Sequence, residues 1–362
     1  MLGQLVSIDS VNPTLIPGGA GEAAIGRFIA TWLEGAGLEV SLQEVVPGRS
    51  NVIGVARGSG GGRTLLLNAH TDTVGVDGMQ APHEPRLEDG RLYGRGAYDM
   101  KAGLAAAMLT VASVRELAGD VVLAAVVDEE AAGAGTKALL ASGIHADAAI
   151  VPEPTGLDVV IAHKGFVGFE IETAGRAAHG SRPERGVDAI ARMGPILVEL
   201  LTLAERLSSA AGHPLLGPSS MHTSLIEGGQ EFSSYPERCL LTGEWRTLPG
   251  QSPADVEAEL RELIARSTVD ADLRLLFTGD PLETAEDEEI VQLVHGHART
   301  EIVGVPYWAD SALLAAAGIP TVLFGPRGGG EHETVEWVEL ASVERLCDVL
   351  LATAQNFCVP TR

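Results

Sequence analysis

The sequence contains few cysteines, few basic residues and no long apolar run. Its three cysteines, Cys239, Cys347 and Cys358, are odd in number and lack C-x-x-C spacing. This favours free thiols in a reducing compartment over a disulfide framework or a zinc knuckle. No apolar run approaches the length of a membrane span, and the first residues lack the basic and apolar regions of a signal peptide. We therefore expect a cytoplasmic protein without a membrane partner.

Acidic residues greatly outnumber basic ones. The sequence has 25 Lys and Arg residues and 49 Asp and Glu residues, which gives a formal charge of −24. This excess disfavours nucleic acid and anionic membranes as partners, although it attracts metal cations. The Gly-rich stretch at residues 58–62 lacks the Gly-Lys-Ser/Thr of a phosphate-binding loop. It therefore indicates a turn, and a nucleotide-binding α/β protein is disfavoured.

Residues 65–72, LLLNAHTD, combine a short apolar run with a polar end. The run predicts a buried strand, and open α/β sheets bind ligands at the carboxyl ends of their strands. In an extended chain Asp72 points the same way as His70, so its carboxylate can accept the ring N–H of a metal-binding histidine. A surface histidine beside a turn-forming aspartate fits these two residues equally well.

Other apolar segments also end in potential metal ligands. The run at 121–127 leads into three consecutive carboxylates, and the run at 148–151 leads into Glu153, whose flanking prolines restrict the backbone. Asp99 precedes an Ala-rich helix. It is either a metal-binding carboxylate or a residue that caps the start of this helix. His332 follows a Gly-rich loop after the run at 321–324. This recurrence predicts a metal site at one edge of a mostly parallel sheet.

The central part of the chain has a different pattern. Residues 165–277 are predicted to form strand, helix, strand, strand, helix and strand, which is the ferredoxin-like order. We expect an α/β catalytic domain at residues 1–163 and 278–362, with an α+β domain inserted at residues 164–277.

The motifs together resemble a known family. They are His70-Thr-Asp72, the glycine-flanked segment 96–103 with Asp99, Asp128-Glu129-Glu130, Pro152-Glu153-Pro154 and the late His332. This combination resembles the dinuclear zinc amidohydrolases, which include acetylornithine deacetylase, succinyl-diaminopimelate desuccinylase, glutamate carboxypeptidase and the aminoacylases. The resemblance covers almost the whole chain and implies a zinc-peptidase-like catalytic domain with an inserted lid and dimerisation domain.

The resemblance implies two zinc ions per chain, which cobalt or manganese can replace. One ion is expected to bind His70 and Glu153, and the other Glu130 and His332. Asp99 is expected to bridge both ions. Imidazole and carboxylate ligands suit these metals.

Two further residues are implied to support the reaction. Asp72 is expected to orient the first metal-binding histidine, and Glu129 to act as the general acid/base. The family also implies a cis peptide bond between Asp99 and Met100.

The inserted domain and the Gly-rich loop carry the implied substrate contacts. His179 resembles a histidine that reaches into the partner subunit of a homodimer and stabilises the oxyanion. Arg246 is expected to bind the substrate carboxylate, unless it is a surface arginine paired with Glu244. Ser233 stands where the family often has asparagine, which weakens the substrate contact expected there. Arg327 replaces a smaller residue and is expected either to bind an acidic group or to be solvated.

The expected function is removal of an acyl group from an N-acyl amino acid, with a metal-bridging water as nucleophile. Carboxypeptidase or dipeptidase activity on short peptides is the alternative, since it uses the same chemistry. A non-catalytic homologue that binds metal or amino acid is the alternative from a different class.

Overall fold

A computed structural model describes residues 1–360 of the protein. Its strands, numbered in chain order, belong to three sheets within these residues. The strands are β1 Glu39–Val46, β2 Arg49–Ala56, β3 Leu65–His70, β4 Arg86–Glu88, β5 Arg91–Tyr93, β6 Val121–Val126, β7 Ala148–Val151, β8 Val159–His163, β9 Gly165–Ala174, β10 Ser220–Gly228, β11 Arg238–Thr247, β12 Ala271–Gly279, β13 Leu282–Glu283, β14 Ile302–Val305, β15 Thr321–Leu323, β16 Gly328–Gly329 and β17 Trp337–Glu339.

The helices connect these strands and cover the sheets. They are α1 Leu2–Val6, α2 Ala23–Gly35, α3 Lys101–Ser113, α4 Ala134–Ala141, α5 Ala189–Ser209, α6 Pro253–Ser267, α7 Glu289–Ala298, α8 Ser311–Ala316 and α9 Leu340–Phe357. Within residues 1–360, none of them is both long enough and apolar enough to cross a membrane.

The chain forms two compact units. The first comprises Met1–Ile161, Thr284–Val303 and the described chain from Ala309 onward, and the second comprises Ala162–Glu283 and Gly304–Trp308. A catalytic role for the first unit and a lid role for the second stay predictions.

The first unit is built around a mixed sheet with a parallel centre. Within this unit the strand order is β1-β2-β6-β3-β7-β15-β8. Strands β6, β3, β7 and β15 are parallel, whereas β1, β2 and β8 pair antiparallel at the two sides. Every residue of β3 and β6 is buried, as expected for parallel strands covered on both faces. The predicted α/β class with its mostly parallel centre is confirmed.

The parallel strands deliver the predicted ligands to one edge. His70 is the last residue of β3, and Glu153 lies two residues after β7. Asp128 follows β6 after a single residue, and Asp99 lies two residues before α3. Since parallel strands end on the same side of a sheet, residues far apart in sequence become neighbours here.

The second unit has the ferredoxin-like topology that the sequence pattern predicted. Its strands have the order β10-β11-β9-β12 and all pair antiparallel. Helices α5 and α6 contribute Leu200 and Leu260 to a core that also contains Phe169 and Trp245. This unit therefore has a hydrophobic core of its own.

The third sheet was missed by the sequence pattern. It has the order β16-β17-β5-β4, and its strands β4 and β5 lie in a segment for which the sequence pattern predicted no strand. The final helix begins at Leu340, directly after strand β17, Trp337–Glu339. Strands of two or three residues are too short to show a period of two.

Gly103 offers a test of the packing around the sheet edge. A Cβ atom at Gly103 in α3 would lie 2.0 Å from the carbonyl oxygen of Pro152. We expect Gly103→Ala to lower the free energy of unfolding by roughly 1–3 kcal/mol or more, because the helix must move away from the strand end. Urea unfolding measures this.

Gly296→Ala is the matched control. Gly296 lies inside α7, and its Cβ would meet no described atom within 4 Å. Alanine there should be neutral or stabilise by about 1 kcal/mol through its higher helix propensity. Equal effects of the two substitutions would contradict the packing argument.

Candidate metal centre

Side chains from five parts of the first unit converge at the sheet edge. His70 Nε2 lies 3.1 Å from Asp99 Oδ1 and 3.7 Å from Glu153 Oε1. His332 Nε2 lies 3.4 Å from Asp99 Oδ2 and 3.1 Å from Glu130 Oε2. The two oxygens of Asp99 therefore face different imidazoles, and this carboxylate is shared by two groups of three side chains.

These separations fit two metal ions bridged by Asp99. When two ligand atoms bind the same tetrahedral zinc ion at about 2.0–2.1 Å, they lie roughly 3.3 Å from each other. The four distances around His70 and His332 are all close to that value. Potential ligand atoms of His70, Asp99 and Glu130 also lie within 4.8 Å of one another. The Asp99–Met100 peptide bond is cis, as the resemblance implied.

The carboxylates at this edge are crowded. Burial raises the pKa of Glu153 and of Glu130, and the carboxylate of Asp99 adds to both effects. Hydrogen bonds to Asp99 and Glu130 raise the pKa of His332 to about 10. Burial opposes protonation of His70, but Glu153 and Asp99 outweigh it and raise its pKa. Without metal, these carboxyl and imidazole groups therefore tend to hold protons. Metal cations at the same positions would compensate the negative charge instead.

Glu129 is placed among these groups. Burial raises the pKa of its carboxyl. Among the surrounding charges, His70 lowers this pKa and Glu153 raises it. A carboxyl with a raised pKa is suited to accept and return a proton near neutral pH.

Asp72 acts through different atoms from those the sequence suggested. His70 Nδ1 lies 3.0 Å from the backbone carbonyl oxygen of Asp72, whereas the carboxylate is 3.7 Å away. The carboxylate instead accepts the backbone N–H groups of Glu129 at 3.2 Å and Glu130 at 3.1 Å. The expected contact between His70 and the Asp72 side chain is therefore corrected, since the carbonyl orients the imidazole and the carboxylate holds the glutamate pair.

A buried polar network supports the same glutamates. The Asn12 side chain donates to Asp72 Oδ2 at 2.7 Å and to Asp128 Oδ1 at 3.2 Å. Arg49 donates to Asp128 at 2.9 Å and pairs with Glu22. Asp128 has a φ of 69°, and this left-handed residue turns the chain between β6 and the two glutamates. Asn12 and Arg49 could not be predicted from the sequence, because no spacing pattern marks them.

The residues predicted to contact substrate belong to different units. Arg327 is an exposed residue of the first unit, and its Nε donates to the carbonyl oxygen of Gly156 at 3.0 Å. His179, Ser233 and Arg246 belong to the second unit.

The local contacts of these three residues are defined. His179 Nδ1 lies 2.8 Å from the hydroxyl of Ser181, and the neighbouring Gly180 N–H donates to the carbonyl oxygen of Ser233. Arg246 Nε is 2.6 Å from Glu244 Oε1, which is the pairing that the sequence left open. Their roles toward substrate stay predictions.

Comparison with known proteins identifies the family. Residues 66–356 match the description Peptidase family M20/M25/M40. The chain belongs to this family. That match spans every candidate metal ligand described above.

Individual proteins resemble the chain over almost its full length. Acetylornithine deacetylase from Myxococcus xanthus is 31% identical over 349 residues, which cover 90% of each chain. An M20 metallo-carboxypeptidase from Sulfolobus solfataricus has the same fold, with a TM-score of 0.80, 18% identity and coverage of 99% of this chain and 98% of its own. A dinuclear metal-binding M20 peptidase from Bacillus subtilis has a TM-score of 0.73, 17% identity and coverage of 99% and 97%. Family membership makes the protein a metal-dependent hydrolase of amide bonds.

The raised pKa of Glu129 gives a test in the metal-free protein. The folded state binds the Glu129 proton more tightly than the unfolded state, so this contribution to stability is present at low pH and is lost as pH rises above about 4.5. We expect Glu129→Gln, which removes the buried charge, to become more stable than the wild type as pH rises from 5 to 8. A gain of about 1–2 kcal/mol at pH 8 is expected, measured by urea unfolding in chelator.

Glu34→Gln is the control for this measurement. Glu34 is an exposed residue of α2, so Glu34→Gln makes the same chemical change without removing a buried charge. A Glu129→Gln advantage that shrinks with rising pH would contradict the burial argument.

Proposed function

We propose that the protein removes the acyl group from an N-acyl amino acid at a two-metal site. The observation that carries this proposal is Asp99, whose two oxygens face His70 and His332 at 3.1 and 3.4 Å. A carboxylate placed in this way is suited to bridge two cations. The similarity to acetylornithine deacetylase supports an acyl amino acid as the substrate class.

Five side chains would hold the metal ions. His70, Glu153 and Asp99 suit one ion, and Glu130, His332 and Asp99 suit the other. Zinc fits this ligand set, and cobalt or manganese can replace it. When bound, such a pair polarises the amide carbonyl and lowers the pKa of water toward neutrality.

Glu129 moves the proton. Its carboxylate takes a proton from the attacking water and returns it to the leaving nitrogen, so one group serves as base and then as acid. Asp72 would support both the proton transfer by Glu129 and metal binding by Glu130, because its carboxylate accepts hydrogen bonds from the backbone N–H groups of these two residues.

The second unit would contribute the remaining contacts in a homodimer. Strand β10 is an edge strand with Leu225 and Ile226 exposed, and α5 exposes Val198 and Leu201 on its outer face. An apolar helix face beside an unpaired strand edge fits a second copy of this chain. In that dimer His179 would stabilise the oxyanion in the partner's site.

Two arginines and one serine would contact the ends of the substrate. Arg246 would release Glu244 and bind the substrate carboxylate in its place. The arginine guanidinium is well suited to this, because it can donate two parallel hydrogen bonds to one carboxylate. Ser233 would offer a hydroxyl beside His179, and Arg327 would bind an acidic group of the acyl chain.

We place the reaction in the cytoplasm, because Cys239, Cys347 and Cys358 are free thiols.

Peptide hydrolysis is the second candidate. It is favoured by the fold shared with the metallo-carboxypeptidase from Sulfolobus solfataricus, and it needs the same metal ligands and the same proton transfers. A panel of acetyl, succinyl and formyl amino acids and dipeptides, assayed with zinc or cobalt, separates the two activities. If the protein carries two metal ions per chain but hydrolyses none of these substrates, a non-catalytic binding protein would be favoured instead.

Glu129→Gln tests the proton transfer. We expect this variant to bind two metal ions per chain and to lose activity by roughly 10²–10⁴-fold, because the glutamine amide cannot accept the proton. Elemental analysis gives the metal content and the substrate panel gives the activity. A Glu129→Gln protein that keeps full activity would falsify the mechanism, and Glu34→Gln should remain fully active.

Mixed dimers test the role of His179 in the partner's site. His179→Ala and Glu129→Gln subunits are each expected to be inactive alone, but a mixed dimer has one site with both groups intact. Random mixing should restore up to about a quarter of the wild-type activity, because half of the dimers are mixed and each has one active site. Absence of any recovery in confirmed mixed dimers would argue against this role.

A further inference from the structure

Glu336 is a buried carboxylate with an unusual set of partners. Only 1% of its surface is exposed. Its Oε1 accepts the backbone N–H groups of Tyr98 at 2.8 Å and Asp99 at 3.0 Å. Its Oε2 accepts the N–H of Gly96 at 2.8 Å and Arg95 Nη1 at 2.7 Å. Both oxygens are therefore committed to the segment that ends in Asp99.

Arg95 completes a link between two segments. It is 3% exposed, and its Nη2 donates to the carbonyl oxygen of Glu333 at 2.8 Å. The backbone N–H of Gly94 donates to the carbonyl oxygen of Glu336 at 3.1 Å. The segment that carries Asp99 is thus joined to residues 332–336, which carry His332, by both side-chain and backbone bonds.

The candidate metal ligands differ in how they are held. His70 ends strand β3, and Glu153 follows β7 between two prolines, so the sheet positions both. His332 lies outside the strands with a φ of 61° and a side chain that is 55% exposed. Its distance from Asp99 therefore depends on contacts between the two loops.

We propose that Glu336, together with Arg95, is a positioning residue that sets the spacing of Asp99 and His332 and thereby maintains the metal site formed by Asp99, Glu130 and His332. This inference rests on the proposed two-metal function. The site formed by His70, Glu153 and Asp99 depends on it less, because the sheet holds two of its three ligands.

Glu336→Gln tests the assignment with little change of shape. Glutamine keeps one acceptor oxygen but points an NH₂ donor at backbone N–H groups or at Arg95. Calorimetric titration of metal-free protein with zinc should give two ions per chain for the wild type. In Glu336→Gln the affinity of one site should fall by about 10–100-fold, while the other changes less than about threefold. The absorption spectrum of the cobalt protein reports separately on the first and second ions bound.

Glu333→Gln is the matched control. Glu333 lies in the same segment and is exposed, and it contacts Arg95 through its backbone carbonyl. This substitution should leave both affinities unchanged. If Glu336→Gln does not fold, Arg95→Lys decides the question, because lysine keeps the charge beside Glu336 but cannot also reach Glu333. It should weaken the same single site.

Two outcomes overturn the assignment. One is equal weakening of both sites, which indicates general loss of structure, and the other is two unchanged affinities. If the wild type binds two ions while the Glu336→Gln and Arg95→Lys variants also bind both normally, this inference fails and the proposed function stands. If the wild type binds no metal, the proposed function fails as well.

Discussion

Four carboxylates crowd around two imidazoles, and the neighbouring loops are arranged to hold them there. Asp99, Glu129, Glu130 and Glu153 meet His70 and His332 at one sheet edge, where burial raises the pKa of three of the glutamates. Such a group is stable when cations replace the protons, and its geometry divides into two sets that share Asp99. This division fits a dinuclear metal site, which is the kind of site that the proposed amide hydrolysis needs.

The backbone places these charges before any side chain adjusts them. Parallel strands bring His70 and Glu153 to a common edge, and a left-handed residue at Asp128 turns the chain toward Glu129 and Glu130. Carboxylates behind the site then accept hydrogen bonds from backbone N–H groups, and not from the side chains of the candidate metal ligands. Asp72 does so for the glutamate pair and Glu336 for the Asp99 segment, so each of these two loops has its own buried acceptor.

The sequence predicted those features that depend on local pattern. Buried apolar runs followed by His70, Glu130 or Glu153 indicated the parallel centre of the sheet and a metal site at its edge. The assignment of individual ligands came from the family resemblance and stays a prediction. The supporting contacts were not predictable, because the hydrogen bond from Asn12 to Asp128 spans 116 residues and that from Gly96 to Glu336 spans 240. The carbonyl of Asp72 was missed for another reason, since a sequence cannot indicate whether a backbone or a carboxylate oxygen faces an imidazole.

Anomalous X-ray diffraction at the zinc edge, from crystals of the zinc-loaded protein, tests whether Asp99 bridges two metal ions. A bridging Asp99 requires two anomalous peaks per chain, one on either side of its carboxylate. One should be bound by His70 and Glu153, and the other by Glu130 and His332. A single peak, or peaks that do not contact Asp99, would contradict it.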